Sequence, residues 1–279
     1  GVETALDIAA ANLSDAPVDF TVKENPALWA ERLAATLLPT GSLRLPSAGF
    51  VPGLAGFDDG VWWVQNAAAA LPVKFIAAHF GGDLRGKKII DLCAAPGGKT
   101  AQLAALGAEV IALDRSAPRL KRLQENMARL HLSAATVVAD GAAWTPPALA
   151  DAVLLDAPCS ATGTIRHQPD VLRLKDIRDQ DKLAALQKRL MLNALKMLKP
   201  GGVLLYCTCS VQKAESEAQT DWLLAQQAGA VLSPIRAGEV SGINAMLTSR
   251  GELRALPHHW REYGGIDGFY AARFVKAPR

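Results

Sequence analysis

The chain has 279 residues, half of them hydrophobic, with 30 basic against 27 acidic side chains and a net charge of +3. That length supports one large α/β domain and a smaller one. The mildly basic balance permits a nucleic-acid partner without demanding one. Four cysteines, Cys93, Cys159, Cys207 and Cys209, lack the spacing of a disulfide framework, which points to a reducing cytoplasm. No apolar run reaches about 18 residues and no secretory leader is present. A cytoplasmic monomer that touches no membrane is expected. The first residue is Gly1, so an earlier region is expected to precede this sequence.

In chain order, residues 1–16 read as a helical remnant or linker, 17–84 as a small α+β domain and 85–279 as a larger domain. Pro17–Lys23 and Ser42–Leu45 read as strands, Ala27–Leu38 as a helix, and the Gly- and Pro-rich Gly49–Gly60 as a loop. Trp62-Trp63-Val64 then leads into an Ala-rich helix, Asn66–Phe80. From Lys87 onward strands and helices alternate, the rhythm of a parallel sheet with crossover helices. Strands are expected at Lys88–Cys93, Glu109–Asp114, Thr136–Asp140, Asp151–Asp156, Gly202–Cys207 and Gly268–Val275. Helices are expected at Lys99–Leu106, Ala117–Leu130, Asp176–Leu198 and Glu215–Ala228. The fold class is therefore α/β and Rossmann-like, behind a small N-terminal α+β domain.

Ligands of such sheets bind at the carboxyl ends of the strands. There, Asp91-Leu92-Cys93-Ala94-Ala95-Pro96-Gly97-Gly98-Lys99-Thr100 joins the first strand to a helix N-terminus, and its two glycines admit a closely approaching ligand. It matches neither the dinucleotide fingerprint nor the phosphate loop, and alone it is equally a plain tight connection. Three strand-end acids add to it. Asp114 is placed to accept both hydroxyls of a ribose, Asp140 lies beside an adenine's expected place, and Asp156 ends the fourth strand. One such acid is often a helix cap, but three along one edge suit a nucleoside cofactor without a diphosphate, such as S-adenosylmethionine (SAM).

Two thiols share that edge. Cys159 lies in Asp156-Ala157-Pro158-Cys159-Ser160 and Cys209 in Thr208-Cys209-Ser210, each after a buried-strand run. They are expected to face one reaction centre, one as nucleophile and one in support. Cys207 and the side chain of Cys93 read as small buried hydrophobes. A zinc site is not expected without Cys-x-x-Cys pairs. His258 and His259 read as surface residues, and Trp62-Trp63 as core of the small domain rather than a base-stacking platform.

Together these motifs resemble the Sun/Fmu (RsmB-like) family of RNA 5-methylcytosine methyltransferases. The resemblance runs over about 17–279 and is most specific over 87–217. It also includes Arg166 with Pro169-Asp170, Glu215 and Glu217, and the closing Gly265-Ile266-Asp267-Gly268-Phe269-Tyr270. It implies a SAM site of Cys93, Ala94, Ala95, Pro96, Gly97, Gly98, Lys99, Asp114, Arg119, Asp140 and Asp156. It implies Cys209 as nucleophile and Cys159 as the second cysteine that helps release product, with ribosomal RNA as substrate. In that branch a helical RNA-binding domain commonly comes earlier in the chain. Three positions depart from the family: Ala161 stands for glycine, Ser216 for asparagine, and Asn66 for an acid.

The chemistry explains the residue types. C5 of cytosine is a poor nucleophile until a thiolate adds at C6, which splits one hard step into easier ones. Asp156 is expected at the N3/N4 edge, donating a proton if burial keeps its carboxyl neutral. Lys99, Pro158 and Arg166 are the expected substrate contacts. Arg166 and His167 are taken to reach phosphates, with Arg115 and Arg119 along the cleft. Two alternatives stay open: a DNA cytosine methyltransferase that uses Cys159, and a non-catalytic RNA-binding or assembly protein that keeps the SAM fold.

Overall fold

The computed structural model describes every residue except 175, 176, 227 and 279, and not the side chains of 174, 177 and 178. Helix α1 (Val2–Asn12) buries none of its residues. After it, β1 (Val18–Val22), α2 (Pro26–Arg32), β2 (Thr36–Leu37), β3 (Leu43–Leu45) and β4 (Trp62–Val64) build an antiparallel sheet of order β2-β3-β1-β4. Helix α2 ends at Arg32 rather than Leu38. Ala34 takes a left-handed φ of 49°, and Thr36–Leu37 pair with Leu43–Arg44 instead, exchanging helical bonds for a hairpin. Trp62 is buried in the core of the small unit, as expected, and meets Phe20 edge-on at 4.9 Å, whereas Trp63 packs with Ala94, Ala101 and Leu123 of the larger unit.

Helix α3 (Ala67–His79) crosses to the larger unit. There β5 (Lys88–Leu92), α4 (Gly98–Ala105), β6 (Glu109–Asp114), α5 (Ala117–Arg129), β7 (Ala135–Val138) and β8 (Ala150–Asp156) alternate as expected. A short α6 (Val171–Leu174) precedes the long α7 (Ile177–Met197), then β9 (Leu198–Thr208) and α8 (Glu217–Ala225). The start expected for the long helix, at Asp176, lies outside the described residues. Strands β5 to β9 pair in parallel. The chain closes with β10 (Ala230–Leu232), β11 (Leu253–Ala255) and β12 (Phe269–Lys276), and β12 runs antiparallel to β9. The full order is β10-β12-β9-β8-β5-β6-β7, with β11 also on β12. The three-residue β10 and β11 are too short to carry a periodic signal and had no counterpart in the sequence reading.

Strands buried on both faces read as continuous apolar runs, and alternate residues here serve two cores. Ile89, Leu154 and Leu205 pack with Leu71 and Phe75 of α3, while Ile90, Val153 and Leu204 pack with Leu190 and Ala194 of α7. Helix α3 thus shares its main core with the large sheet. The sites sit at the carboxyl edge of β5, β6, β8 and β9, facing the small sheet.

One buried ion pair ties the units together. Arg44 donates from Nε and Nη2 to the two Asp19 carboxylate oxygens at 2.6 and 2.7 Å, and Asp19 also accepts the Ala67 amide at the start of α3. Arg44 Nη1 donates to the carbonyls of Tyr263 and Gly265 in the C-terminal loop. Both side chains are almost wholly buried. Removing one member of such a pair strands a charge and costs about 3–5 kcal/mol. Asp19→Ala is therefore expected to lower unfolding stability by that amount, read by urea denaturation followed by circular dichroism; a loss below about 1 kcal/mol contradicts the tie.

Candidate active site

The carboxyl edge holds two spaces. A cleft of about 330 Å³ lies between Phe57, Trp63 and Gln65 of the small unit and the whole 93–99 turn, and is also lined by Asp91 and Asp156. A narrower pocket of about 110 Å³ is lined by Cys93, Asp114, Arg115, Arg119, Asp140 and Pro158. Cys93 lines both, and the expected cofactor residues are divided between them.

The turn owes its shape to backbone that side chains oppose. Gly97 has φ of 107°, and a Cβ there would sit 2.6 Å from Leu123 Cγ. Cys93 itself is left-handed at φ of 61°. Burial first, then the nearby aspartates, pushes its thiol up to about 12; the side chain packs against the core but is half-buried rather than buried as expected. Asp114 closes β6 and is 2 % exposed. Its oxygens accept the Ser116 amide at 2.9 Å and the Ala95 amide at 3.3 Å, leaving lone pairs toward the pocket. Arg119 reaches over the turn, bonding the Ala95 carbonyl and standing 3.5 Å from Asp114. Asp140 is not the end of a strand. β7 stops at Val138, and Asp140 turns the chain by accepting the Ala142 amide, with an exposed side chain 3.8 Å from Arg189.

Asp91 was not singled out from sequence, yet it is the most constrained acid of the site. It is fully buried; one oxygen accepts the Thr100 hydroxyl at 2.6 Å, and Oδ1 has no partner. Burial, partly opposed by Thr100 and Lys99, lifts its pKa to about 7. An orphaned carboxylate oxygen beside Gly97 and Gly98 suits a ligand ammonium, as the Asp114 carboxylate suits ribose hydroxyls. These residues therefore fit an amino-acid-bearing nucleoside such as SAM.

Lys99 and Asp156 form an ion pair at 2.6 Å, with Lys99 also 5.4 Å over the Phe269 ring. Burial alone would lower the lysine pKa, but the Asp156 charge, with help from Cys207 and Asp91, more than offsets it and holds the ammonium above its usual range. The partner of Asp156 is thus the Lys99 ammonium. Cys207 is fully buried, and its thiol points at Asp156 Oδ1 from 3.7 Å, so it packs against the site as well as the core.

The two thiols come together. β8 and β9 are neighbours with Asp156 opposite Cys207, and both chains turn just beyond that pair. The result is a Cys159 Sγ to Cys209 Sγ separation of 3.5 Å, both half-buried. The hydrogen bond to Cys209, burial and nearby negative charge raise Cys159 well above the usual thiol range, and the geometry lets either sulfur donate. Gly163 welds the two turns: its amide donates to the Cys209 carbonyl at 2.9 Å and its carbonyl accepts the Gly268 amide at 2.8 Å. A Cβ at Gly163 would lie 2.0 Å from the Gly268 oxygen. Ala161, where the family favours glycine, has φ of 58°, a left-handed conformation that explains the preference.

Two expected contacts are placed differently. Arg166 donates to the Gly264 carbonyl at 2.6 Å, and His167 lies 3.1 Å from Asp267, so both are engaged with the C-terminal loop. Pro158 offers its carbonyl to Gln187 at 2.9 Å and lines the narrow pocket. His258 and His259 are half-buried rather than on the surface; burial and then His258 push His259 down to about 4. Among the described residues no cluster of three His, Cys, Asp or Glu is arranged to hold a metal, and no helix is long and apolar enough to cross a membrane.

The strand order, with an antiparallel strand beside β9 and pockets at the carboxyl edge, defines a Rossmann-like methyltransferase domain. A family model described as 16S rRNA methyltransferase RsmB/F matches residues 84–275. The chain is 42% identical over 240 residues to a ribosomal RNA small subunit methyltransferase B of Erwinia tasmaniensis, covering 84% of this chain and 52% of that one. A protein of the same description from Salmonella arizonae matches with the same figures. Among solved structures, a methyltransferase homolog protein from Pyrococcus horikoshii superposes with a TM-score of 0.76 at 26% identity, over 98% of this chain and 91% of that one. NSun6 from the same organism, solved with SFG, gives 0.67 at 28% identity, over 84% and 57%. The chain belongs to the 16S rRNA methyltransferase RsmB/F family, and it spans about half the length of the curated relatives it matches.

Asp91 also yields a pH test. Its folded pKa of about 7 lies above the ordinary aspartate value of 3.8. Between those values the folded chain holds more protons than the unfolded chain, so this group's stabilising contribution is lost as pH rises through that window. At 1.36 kcal/mol per unit the loss approaches roughly 4 kcal/mol. Thermal unfolding of Asp91→Asn is expected to fall less than wild type between pH 4 and 7. Parallel pH profiles for the two proteins contradict the assignment.

Proposed function

We propose that this chain transfers a methyl group from SAM to C5 of a cytosine in RNA, ribosomal RNA being the substrate class its relatives' names point to. The observation that carries the reading is the pair of thiols 3.5 Å apart beside the Lys99–Asp156 ion pair. Residues 93–99, Asp91 and Asp114 would hold SAM, with Arg119 bracing the turn. When bound, SAM supplies an electrophilic methyl group.

Cys209 is the nucleophile. Its thiolate forms a bond to C6, and the C5–C6 π electrons move toward N3 and O2, enriching C5. The Asp156 carboxylate accepts from the N4 amino group, and the Lys99 ammonium offsets charge arriving at N3. The Cys159 thiol, donating to Cys209, stabilises the thiolate before attack. Once the Cys209 sulfur is bonded to carbon it accepts poorly, and Cys159 can release its proton to solvent. After C5 has gained the methyl group, whose bond to the SAM sulfur breaks as the C5 bond forms, Cys159 takes the C5 proton, directly or through a water. The C5–H electrons restore the C5–C6 double bond and expel Cys209 as thiolate. Each turnover releases one proton and returns both sulfurs to their starting states.

The DNA-enzyme alternative assigns the nucleophile to Cys159. That reading leaves Cys209, 3.5 Å from Cys159 at the same centre, without a role. A purely structural role for the cleft leaves the orphaned Asp91 oxygen unexplained.

Two measurements test the reading. Asp114→Ala is expected to weaken SAM binding in calorimetry by roughly 1–3 kcal/mol, the range for stranded buried hydrogen-bond partners; unchanged affinity removes the ribose assignment. On a denaturing gel with labelled RNA and SAM, Cys159→Ala is expected to stall as a shifted protein–RNA band. Cys209→Ala should give neither adduct nor methyl transfer, because a group needed only for elimination does not prevent addition. The reverse pattern moves the nucleophile to Cys159.

A further inference from the structure

A carboxylate stands behind Cys159 that the methyl-transfer chemistry does not use. Glu215, in the 3₁₀ turn Lys213–Glu215 before α8, is fully buried. Its oxygens accept the Ser160 amide at 2.9 and 3.2 Å, the Ser160 hydroxyl, and Gln187 Nε2 at 3.2 Å. Gln187 in turn holds the Pro158 carbonyl at 2.9 Å. Both residues flanking Cys159 are thus fixed by this one acid. The Glu215 backbone carbonyl accepts the Tyr206 hydroxyl at 2.7 Å, which fastens it to the strand that carries Cys209. Every side-chain partner of Glu215 is a neutral donor, and among the described residues no cation pairs with it.

We propose that Glu215 is a positioning residue that decides which of the two adjoining thiols ionises. A buried, uncompensated negative charge bonded to the Cys159–Ser160 peptide opposes a second anion on Cys159. Two thiols 3.5 Å apart hold one shared proton and one charge far better than two charges. With the charge discouraged on Cys159, it falls on Cys209, and Cys159 becomes the donor. The titratable groups facing Cys159 are Cys209, Glu215 and the Tyr206 phenol; Cys209 and Glu215 oppose its ionisation, while burial pushes the phenol up and keeps it neutral. The Lys99 ammonium is bound to Asp156. This inference rests on the two-thiol reading above, but its test uses the free protein without RNA or SAM, so the two fail separately.

The experiment is iodoacetamide labelling across pH, with each cysteine quantified by peptide mass spectrometry. In the wild type, Cys209 should label at lower pH than Cys159; the reverse order overturns the proposal whatever the variants do. Glu215→Gln keeps an acceptor for the Ser160 amide and removes the charge. It should raise Cys159 labelling relative to Cys209 roughly tenfold at fixed pH, the equivalent of one pKa unit. Glu215→Asp keeps the charge and should retain the wild-type order. A Glu215→Gln protein with native circular dichroism and an unchanged labelling ratio overturns the idea, as does Glu215→Asp behaving like Glu215→Gln. If the nucleophile proves to be Cys159 in the gel assay while the labelling shift stands, the charge-placing role survives and the catalytic assignment does not.

Discussion

The parallel pairing of β8 with β9 sets Asp156 opposite Cys207, and the rest of the site is arranged around that register. A slip of one residue would turn every side chain to the other face, burying Asp156 in the core and separating the sulfurs. Two apolar cores hold the register, one on each side of the sheet: Leu154 and Leu205 serve one, Val153 and Leu204 the other. Stability and chemistry therefore share one constraint. The turns beyond the register are then welded by Gly163, which no larger residue can replace without displacing the Cys209 or Gly268 backbone.

Charge in the site is distributed so that each buried ion has a distinct answer. Asp156 has Lys99 at 2.6 Å. Asp114 has two amides and Arg119. Glu215 has only neutral donors, and Asp91 has one hydroxyl and one bare oxygen. Buried carboxylates without a cation cost free energy. In a fold only marginally stable overall, such costs persist most readily where a ligand or a catalytic state uses them. Asp91 faces the cleft and Glu215 backs Cys159, which fits that expectation.

The small sheet contributes a wall as well as a wrapper. Trp63 and Gln65 stand over the 93–99 turn, and the Trp63 indole donates to Gln65 Oε1 at 2.8 Å. The Arg44–Asp19 pair links that wall to α3 and to the loop that also receives Arg166. Arg166 is thereby drawn into holding the 264–265 backbone rather than extending into solvent.

The sequence by itself determined the alternating α/β order, the turn at Gly97-Gly98, Asp114 and Asp156 at strand ends, and the two Cys motifs as one centre. Those features are local: apolar runs, turn glycines and strand-end acids keep their meaning wherever the strands lie. It left α2 too long and placed Asp140 on a strand, because the hairpin that pairs Thr36–Leu37 with Leu43–Arg44 and the turn in which Asp140 accepts the Ala142 amide compete locally with the helix and strand patterns. Only the tertiary structure decided that Asp91 carries an unpaired oxygen and that Cys207 touches Asp156. It alone placed Glu215 on the Ser160 amide across 55 residues of chain. Burial and pairing arise when separate strands pack together, and no local pattern of residue types encodes how many partners a buried carboxylate will find.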